Sequence, residues 1–407
     1  MKKLIERGIY TEKIKGFMGK EPVKIITGIR RCGKSGILEL AKNEALQRTD
    51  EKHTIYINFE DAEFDGIASY KELNKYIAGK MKDSGKYYIF LDEIQMVDKW
   101  EKAVSSLRLK NTDIYITGSN SQLLSGELAT LLAGRYVAFE VSTLSLREFI
   151  NFRKECGINP ETDELDEYIL TGGFPLLSVS RFTQEQARQI VTDIQSSSVL
   201  KDVVARNKIK NVHLLERIIA FIYDNVGNLA SIRKITDYLK GTGSSGKSSA
   251  DFETVSNYIS HLENACIIRK VPRYDIKGKK LLESNNKYYL ADHSLQYTIR
   301  DMKRTNLPGI LENIVYNELI RKGYKVYVGK MNAQEIDFVA EKINGGDKMY
   351  VQVCTEFNSE ETMEREFAPL VAIKDHYPKY VVTLDKYWKE DRLGVTGIHL
   401  SNFLLGG

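Results

Sequence analysis

Gly28-Ile29-Arg30-Arg31-Cys32-Gly33-Lys34-Ser35 stands between Val23-Lys24-Ile25-Ile26-Thr27, which reads as a short buried strand, and residues 37–46, whose apolar spacing reads as a helix. That order constrains the fold more than any other feature of the chain. Backbone N–H groups of such a turn converge only if glycines permit the tight path, and the helix N-terminus behind them adds positive potential. The segment is therefore an expected phosphate cradle at the end of a parallel α/β sheet. Lys34 is placed to reach the outer phosphates of a nucleoside triphosphate and Ser35 to ligate Mg²⁺. Gly28, Ile29, Arg30, Arg31, Cys32, Gly33, Lys34, Ser35 and Gly36 form the expected nucleotide-binding set, with ATP and Mg²⁺ as cofactors. Arg30 and Arg31 add local positive charge, or pack against acidic neighbours, without a firm role.

Gly241-Thr242-Gly243-Ser244-Ser245-Gly246-Lys247-Ser248 matches the same pattern and is rejected on context. An amphipathic helix, Ile232 onward, precedes it in place of a strand, and Ser249-Ala250-Asp251 follows where an apolar helix should start. A Gly/Ser loop is the better reading.

The apolar run Tyr87-Tyr88-Ile89-Phe90-Leu91 ends in Asp92-Glu93, which puts two carboxylates at the carboxyl end of a strand, where ligands sit in open α/β sheets. Asp92 is expected to hold Mg²⁺ and Glu93 to orient and deprotonate a water. A further strand, Asp113 to Thr117, runs into Gly118-Ser119-Asn120. Asn120, with Ser119, is the expected sensor of the terminal phosphate, against the plainer reading of a turn or cap. Arg135 follows a Leu-rich helix and precedes the strand from Tyr136.

Composition adds limits. No apolar run approaches the ~20 residues of a membrane span, and the N-terminus lacks the continuous apolar core of a secretory signal, so a cytoplasmic protein is expected. Cys32, Cys156, Cys266 and Cys354 are too scattered for a zinc site or a disulfide scaffold. A net charge of +4 on 59 basic and 55 acidic residues announces no nucleic acid by itself.

In order, GIRRCGKS, YYIFLDEI, YITGSN, AGR, Leu144-Ser145-Leu146-Arg147-Glu148-Phe149 and the later Tyr168 to Pro175 resemble the archaeal-type AAA ATPases, an AAA+-like P-loop family with an uncharacterised C-terminal region. The resemblance implies that Arg135 acts in trans on a neighbour's γ-phosphate, as the corresponding arginine does in the wider AAA+ group. It also implies a ring, hexameric in that group.

Beyond it, three helices over 214–263 followed by strands at Cys266–Val271 and 287–290 resemble a winged helix-turn-helix. Arg269, Lys270, Arg273, Lys277, Lys279 and Lys280, with Lys287, make the hairpin basic and suit it to DNA phosphates. A solvated hairpin in a protein-packing module is the alternative. The last hundred residues resemble a restriction-endonuclease-like fold, with Glu312 and Asp337 in the positions of two metal-binding acids. The third element reads Gln352-Val353-Cys354, a neutral ligand in place of the acid and no lysine, so nuclease chemistry is expected to be lost.

The expected organisation is an α/β chain: a parallel-sheet P-loop domain over 1–149, a helical lid over 150–205, a winged helix over 206–300 and a degenerate nuclease-like domain over 301–407. The expected function is an oligomeric ATPase that engages DNA, branched DNA being the favoured target. The alternative is an ATP-controlled signalling or defence regulator that docks proteins, and a less favoured third is an ATP-dependent nuclease.

Overall fold

The computed structural model describes residues 3–119, 131–241, 250–299, 307–332, 334–357, 359–385 and 391–406, with the side chains of 283 and 284 set aside. The chain divides into two compact units, Met1–Thr143 with Asn264–Cys266, and Leu144–Glu263 with Ile267–Gly407.

In the first unit β1 (Val23–Thr27), β2 (Thr54–Asn58), β3 (Tyr87–Asp92), β4 (Thr112–Thr117) and β5 (Tyr136–Glu140) form a sheet ordered β2-β3-β4-β1-β5. Every pair is parallel. Strands buried on both faces read as continuous apolar runs, and all six residues of β3 are buried. On one face Ile25, Ile57, Ile89 and Ile116 meet Leu73, Ile77, Val104 and Leu107 from the helices Tyr70–Lys80 and Trp100–Leu107. Helix α1 (Gly8–Lys15) precedes the sheet, and α2 (Lys34–Leu46) leaves the glycine-rich loop. Lys24 is the polar residue inside β1, and its ammonium is bonded to the Asp113 carboxylate and, at 2.6 Å, to the Lys20 carbonyl.

The second unit begins with helices Leu146–Glu155, Glu164–Thr171 and Gln184–Ser198. The change of compact unit falls after Thr143, six residues before the boundary expected at 149. Leu144 N–H donates to the Gly173 carbonyl at 2.7 Å, and Ser145 with Glu148 makes a capping box that fixes residues 144–148 to the helical segment. Helices Val212–Asp224, Ile232–Gly241 and Phe252–Asn264 follow, the last burying Val255, Ile259 and Leu262 on one face.

Then comes a sheet of eight strands: β6 (Ile268–Asp275), β7 (Lys280–Leu290), β8 (Tyr324–Met331), β9 (Gln334–Lys342), β10 (Lys348–Val353), β11 (Lys379–Thr383), β12 (Asp391–Arg392) and β13 (Val395–His399), ordered β12-β13-β11-β10-β9-β8-β6-β7. The hairpin β6–β7 is therefore no separate wing, for Arg273, Tyr274 and Asp275 pair in parallel with Val328, Gly329 and Lys330 of β8. Alternation in a sequence marks a strand but does not name its neighbour, so the break expected at 300 lies between two parts of one sheet. Among the described residues no helix is long and apolar enough to cross a membrane.

Candidate active site

Because β1 and β3 are parallel and separated only by β4, the loop after β1, the carboxylates after β3 and the end of β4 gather at one sheet edge. Gly28 turns the chain with φ 144°, where a Cβ would stand 2.2 Å from the Val141 carbonyl oxygen, so glycine is required there. Gly33, at φ 102°, opens α2. Ile29 and Cys32 are buried beneath the loop, Arg31 is exposed, and Arg30 bonds Glu60 at 3.2 Å, which is the acidic neighbour anticipated for it. Lys34, only 4% exposed, curls over the loop and donates to the carbonyls of Gly28 (3.1 Å) and Ile29 (3.3 Å), with Glu93 Oε1 3.9 Å away.

Asp92 is 1% exposed and accepts hydrogen bonds from the hydroxyls of Thr117 and Ser35. Burial raises its carboxyl above the usual carboxylate range, against the pull of those two hydroxyls and of Lys34. A buried carboxylate joined to a serine hydroxyl is an oxygen donor set short of positive charge, which fits a hard cation such as Mg²⁺. Glu93 follows in the left-handed region at φ 54°; its N–H donates 2.9 Å to Thr117 Oγ1, and its carboxylate accepts from the Gln95 amide. Thr117 thereby ties both acids together, although sequence reasoning passed over it for its neighbours. Ser119 is fully buried beside it; Asn120 lies outside the described residues.

Arg7 was also missed. It is 3% exposed and donates to the carbonyls of Cys32 (2.9 Å), Ser142 (3.0 Å) and Thr143 (3.3 Å), so the N-terminal segment straps the phosphate loop to the chain after β5. An arginine 21 residues before the loop's first glycine carries no local signal of that contact.

Arg135 is exposed and precedes β5, whose first residue Tyr136 pairs with Val23, the first of β1. The loop leaves the other end of β1, about 13 Å off at ~3.3 Å per residue. Arg135 thus stands at the opposite end of β1 from its own chain's cradle.

In the second unit Lys270, Lys277, Lys279 and Lys280 are exposed, and Arg269 and Arg273 are half-buried. Asp275 steadies the turn by accepting from Gly278 N–H at 2.9 Å. Lys287, counted with the basic surface from the sequence, is instead 1% exposed; its ammonium meets Glu312 (3.0 Å), Glu335 (2.9 Å) and Asp337 (3.0 Å). These acids lie far along the chain, so no local signal warned that they offset it. Gln352 accepts from Asp337 N–H (3.2 Å) and donates to Glu366 (3.0 Å). Glu312, Asp337 and Gln352 are therefore brought into one neighbourhood. Among the described residues no acid, cysteine and histidine cluster has the form of a metal site.

Residues 20–150 match the AAA domain family, and residues 162–306 match a domain of unknown function. Over 410 aligned residues the chain is 38% identical to an uncharacterised protein of Haemophilus influenzae, covering 99% of each. An uncharacterised protein of Methanocaldococcus jannaschii is 32% identical over 366 residues, or 87% of this chain and 79% of that one. Among solved structures, the Aeropyrum pernix ORC1 protein in complex with DNA overlaps 74% of this chain and 94% of its own at 13% identity, with a TM-score of 0.32, too low to carry an argument.

Proposed function

This chain belongs to the family of the Haemophilus influenzae protein, with an AAA domain at its N-terminal end, and from that premise we propose that it binds ATP with Mg²⁺, hydrolyses it, and uses the cycle to engage DNA. The observation that carries the ATPase reading is the convergence of Lys34, Ser35, Asp92, Glu93 and Thr117 at one edge of a parallel sheet.

Loop amides and Lys34 neutralise the phosphates, which requires Lys34 to leave the carbonyls of Gly28 and Ile29. Ser35 and Asp92 would hold Mg²⁺, which when bound would offset the charge of the phosphates. Glu93 takes the proton from the attacking water, whose oxygen joins the γ-phosphorus as ADP departs. Thr117 orients the Asp92 carboxylate and holds the main chain from which Glu93 projects. Arg135, exposed at the end of β1 opposite its own cradle, completes the site of a neighbouring chain, so an assembly is required, and a closed ring of six is the form favoured by the AAA+ resemblance.

Four exposed lysines on one hairpin support the DNA arm. Junction DNA is the favoured form, because a hairpin fixed in a sheet suits a shaped target more than a flexible single strand. Leu281, 54% exposed among those lysines, favours a second reading in which ATP controls docking to a protein.

Purified chain with and without Lys34→Ala, titrated with ATP in magnesium buffer, tests the ATPase reading, and unchanged affinity in the variant overturns it. Binding to duplex and four-way junction DNA over a salt series tests the DNA arm; the expected result is tighter junction binding that weakens with salt. Capture of a protein that survives DNase, with no salt-sensitive DNA binding, selects the second reading.

A further inference from the structure

An ammonium has three N–H donors and no acceptor; Lys287 donates to Glu312 and Asp337 and pairs with the Glu335 carboxylate 2.9 Å away. Its partners come from two elements: Glu312 from the helix Leu307–Arg321, and Glu335 and Asp337 from β9. Further donors hold the acids in place: Tyr289 hydroxyl donates at 2.8 Å to Oε2 of Glu312, the oxygen Lys287 also meets, and Val353 N–H donates to Asp337 Oδ2 at 2.9 Å. Gly227 closes another side, for a Cβ there would stand 3.0 Å from the Glu312 carboxylate.

We propose that Lys287 is the resident cation of this cluster, a tethered ammonium occupying the place a divalent metal would need, so that the three acids fasten β7 to β9 and to the helix Leu307–Arg321 and take up no metal. Carboxylates gathered from separate elements repel one another unless a positive charge sits among them. Lys287 supplies that charge from within the chain, where cation sites elsewhere draw it from solution.

The protonation pattern agrees. Burial acts to lower the Lys287 ammonium, but Tyr289, Asp337, Glu312 and Glu335 outweigh it and hold the group well above its ordinary value. Burial, then Asp337, push the Glu312 carboxyl up to about 8. One ammonium and one bound proton together match the charge of a divalent ion. Cys354 offers no competing charge, since burial pushes its thiol up to about 12.

The test uses Mn²⁺ as the probe on nucleotide-free full-length chain, read by loss of the free-ion paramagnetic resonance signal. Wild type is expected to show no uptake that Asp337→Asn removes. Lys287→Ala is expected to gain one Mn²⁺ per chain, lost again in Lys287→Ala/Asp337→Asn. Uptake by wild type that Asp337→Asn abolishes overturns the proposal, because metal then coexists with the lysine. So does a folded Lys287→Ala chain that binds none. Should that variant fail to fold in metal-free buffer, its refolding yield with and without millimolar Mn²⁺ decides: recovery with metal supports the proposal and no recovery overturns it.

Discussion

At the scale of single residues, the hydroxyl of Thr117 is the joint between the Asp92 carboxylate and the main-chain N–H of Glu93. Thr117→Val keeps the shape and removes the joint. Turnover is expected to fall about 10–100-fold, as for other groups that orient a ligand-bearing side chain, while ATP affinity measured by equilibrium titration changes little. Glu93→Gln should leave ATP bound and uncleaved, seen as a single-turnover reaction that yields no phosphate. Glu312 makes a pH prediction. Its folded value of about 8 lies above the unfolded carboxyl value of ~4.3, so the folded chain holds the extra proton between them. The stabilisation is full below the unfolded value and is lost as pH rises through the folded one. Thermal melts should therefore show a stability decline toward pH 8 that Glu312→Gln flattens, by at most about 1.4 kcal/mol per pH unit. A slope identical in the variant would refute that assignment.

At the scale of elements, the strand-loop-helix at Gly28 was legible because its chemistry is local: apolar run, glycines and helix lie in sequence within thirty residues. The strap was not. Arg7 meets carbonyls 25 and more than 130 residues away, and backbone acceptors leave no trace in composition. Arg7→Ala leaves buried carbonyls without donors and is expected to cost the first unit about 3 kcal/mol, measured by chemical denaturation followed at that unit's own fluorescence or exchange signal. Lys287 was misread for the same reason in reverse. A lysine on a strand looks solvent-bound until the fold brings acids to it. Of the Gly/Ser segment at 241–248, residues 242–248 lie outside the described residues, and the helix expected before it is present as Ile232–Gly241.

At the scale of the whole molecule, the trans role proposed for Arg135 would make assembly a condition of activity. Chains carrying Arg135→Ala and chains carrying Glu93→Gln should each turn over poorly, yet a mixture should regain activity, because some interfaces then pair an intact arginine with an intact base. A mixture no more active than its parts would show that each site is complete within one chain. The order of elements after the AAA domain was readable from periodicity, but its partition was not, since a sheet can recruit strands from either side of a presumed linker.

The seam between β6 and β8 has its own implication. A free wing could swing to follow whatever lay against it, but a hairpin stitched into a broad mixed sheet is a stencil. The strands hold the backbones of Lys270 and Lys280 in place, and under the proposed DNA reading a target would be accepted by how well its own contour matched them, with the adjustment made by the target.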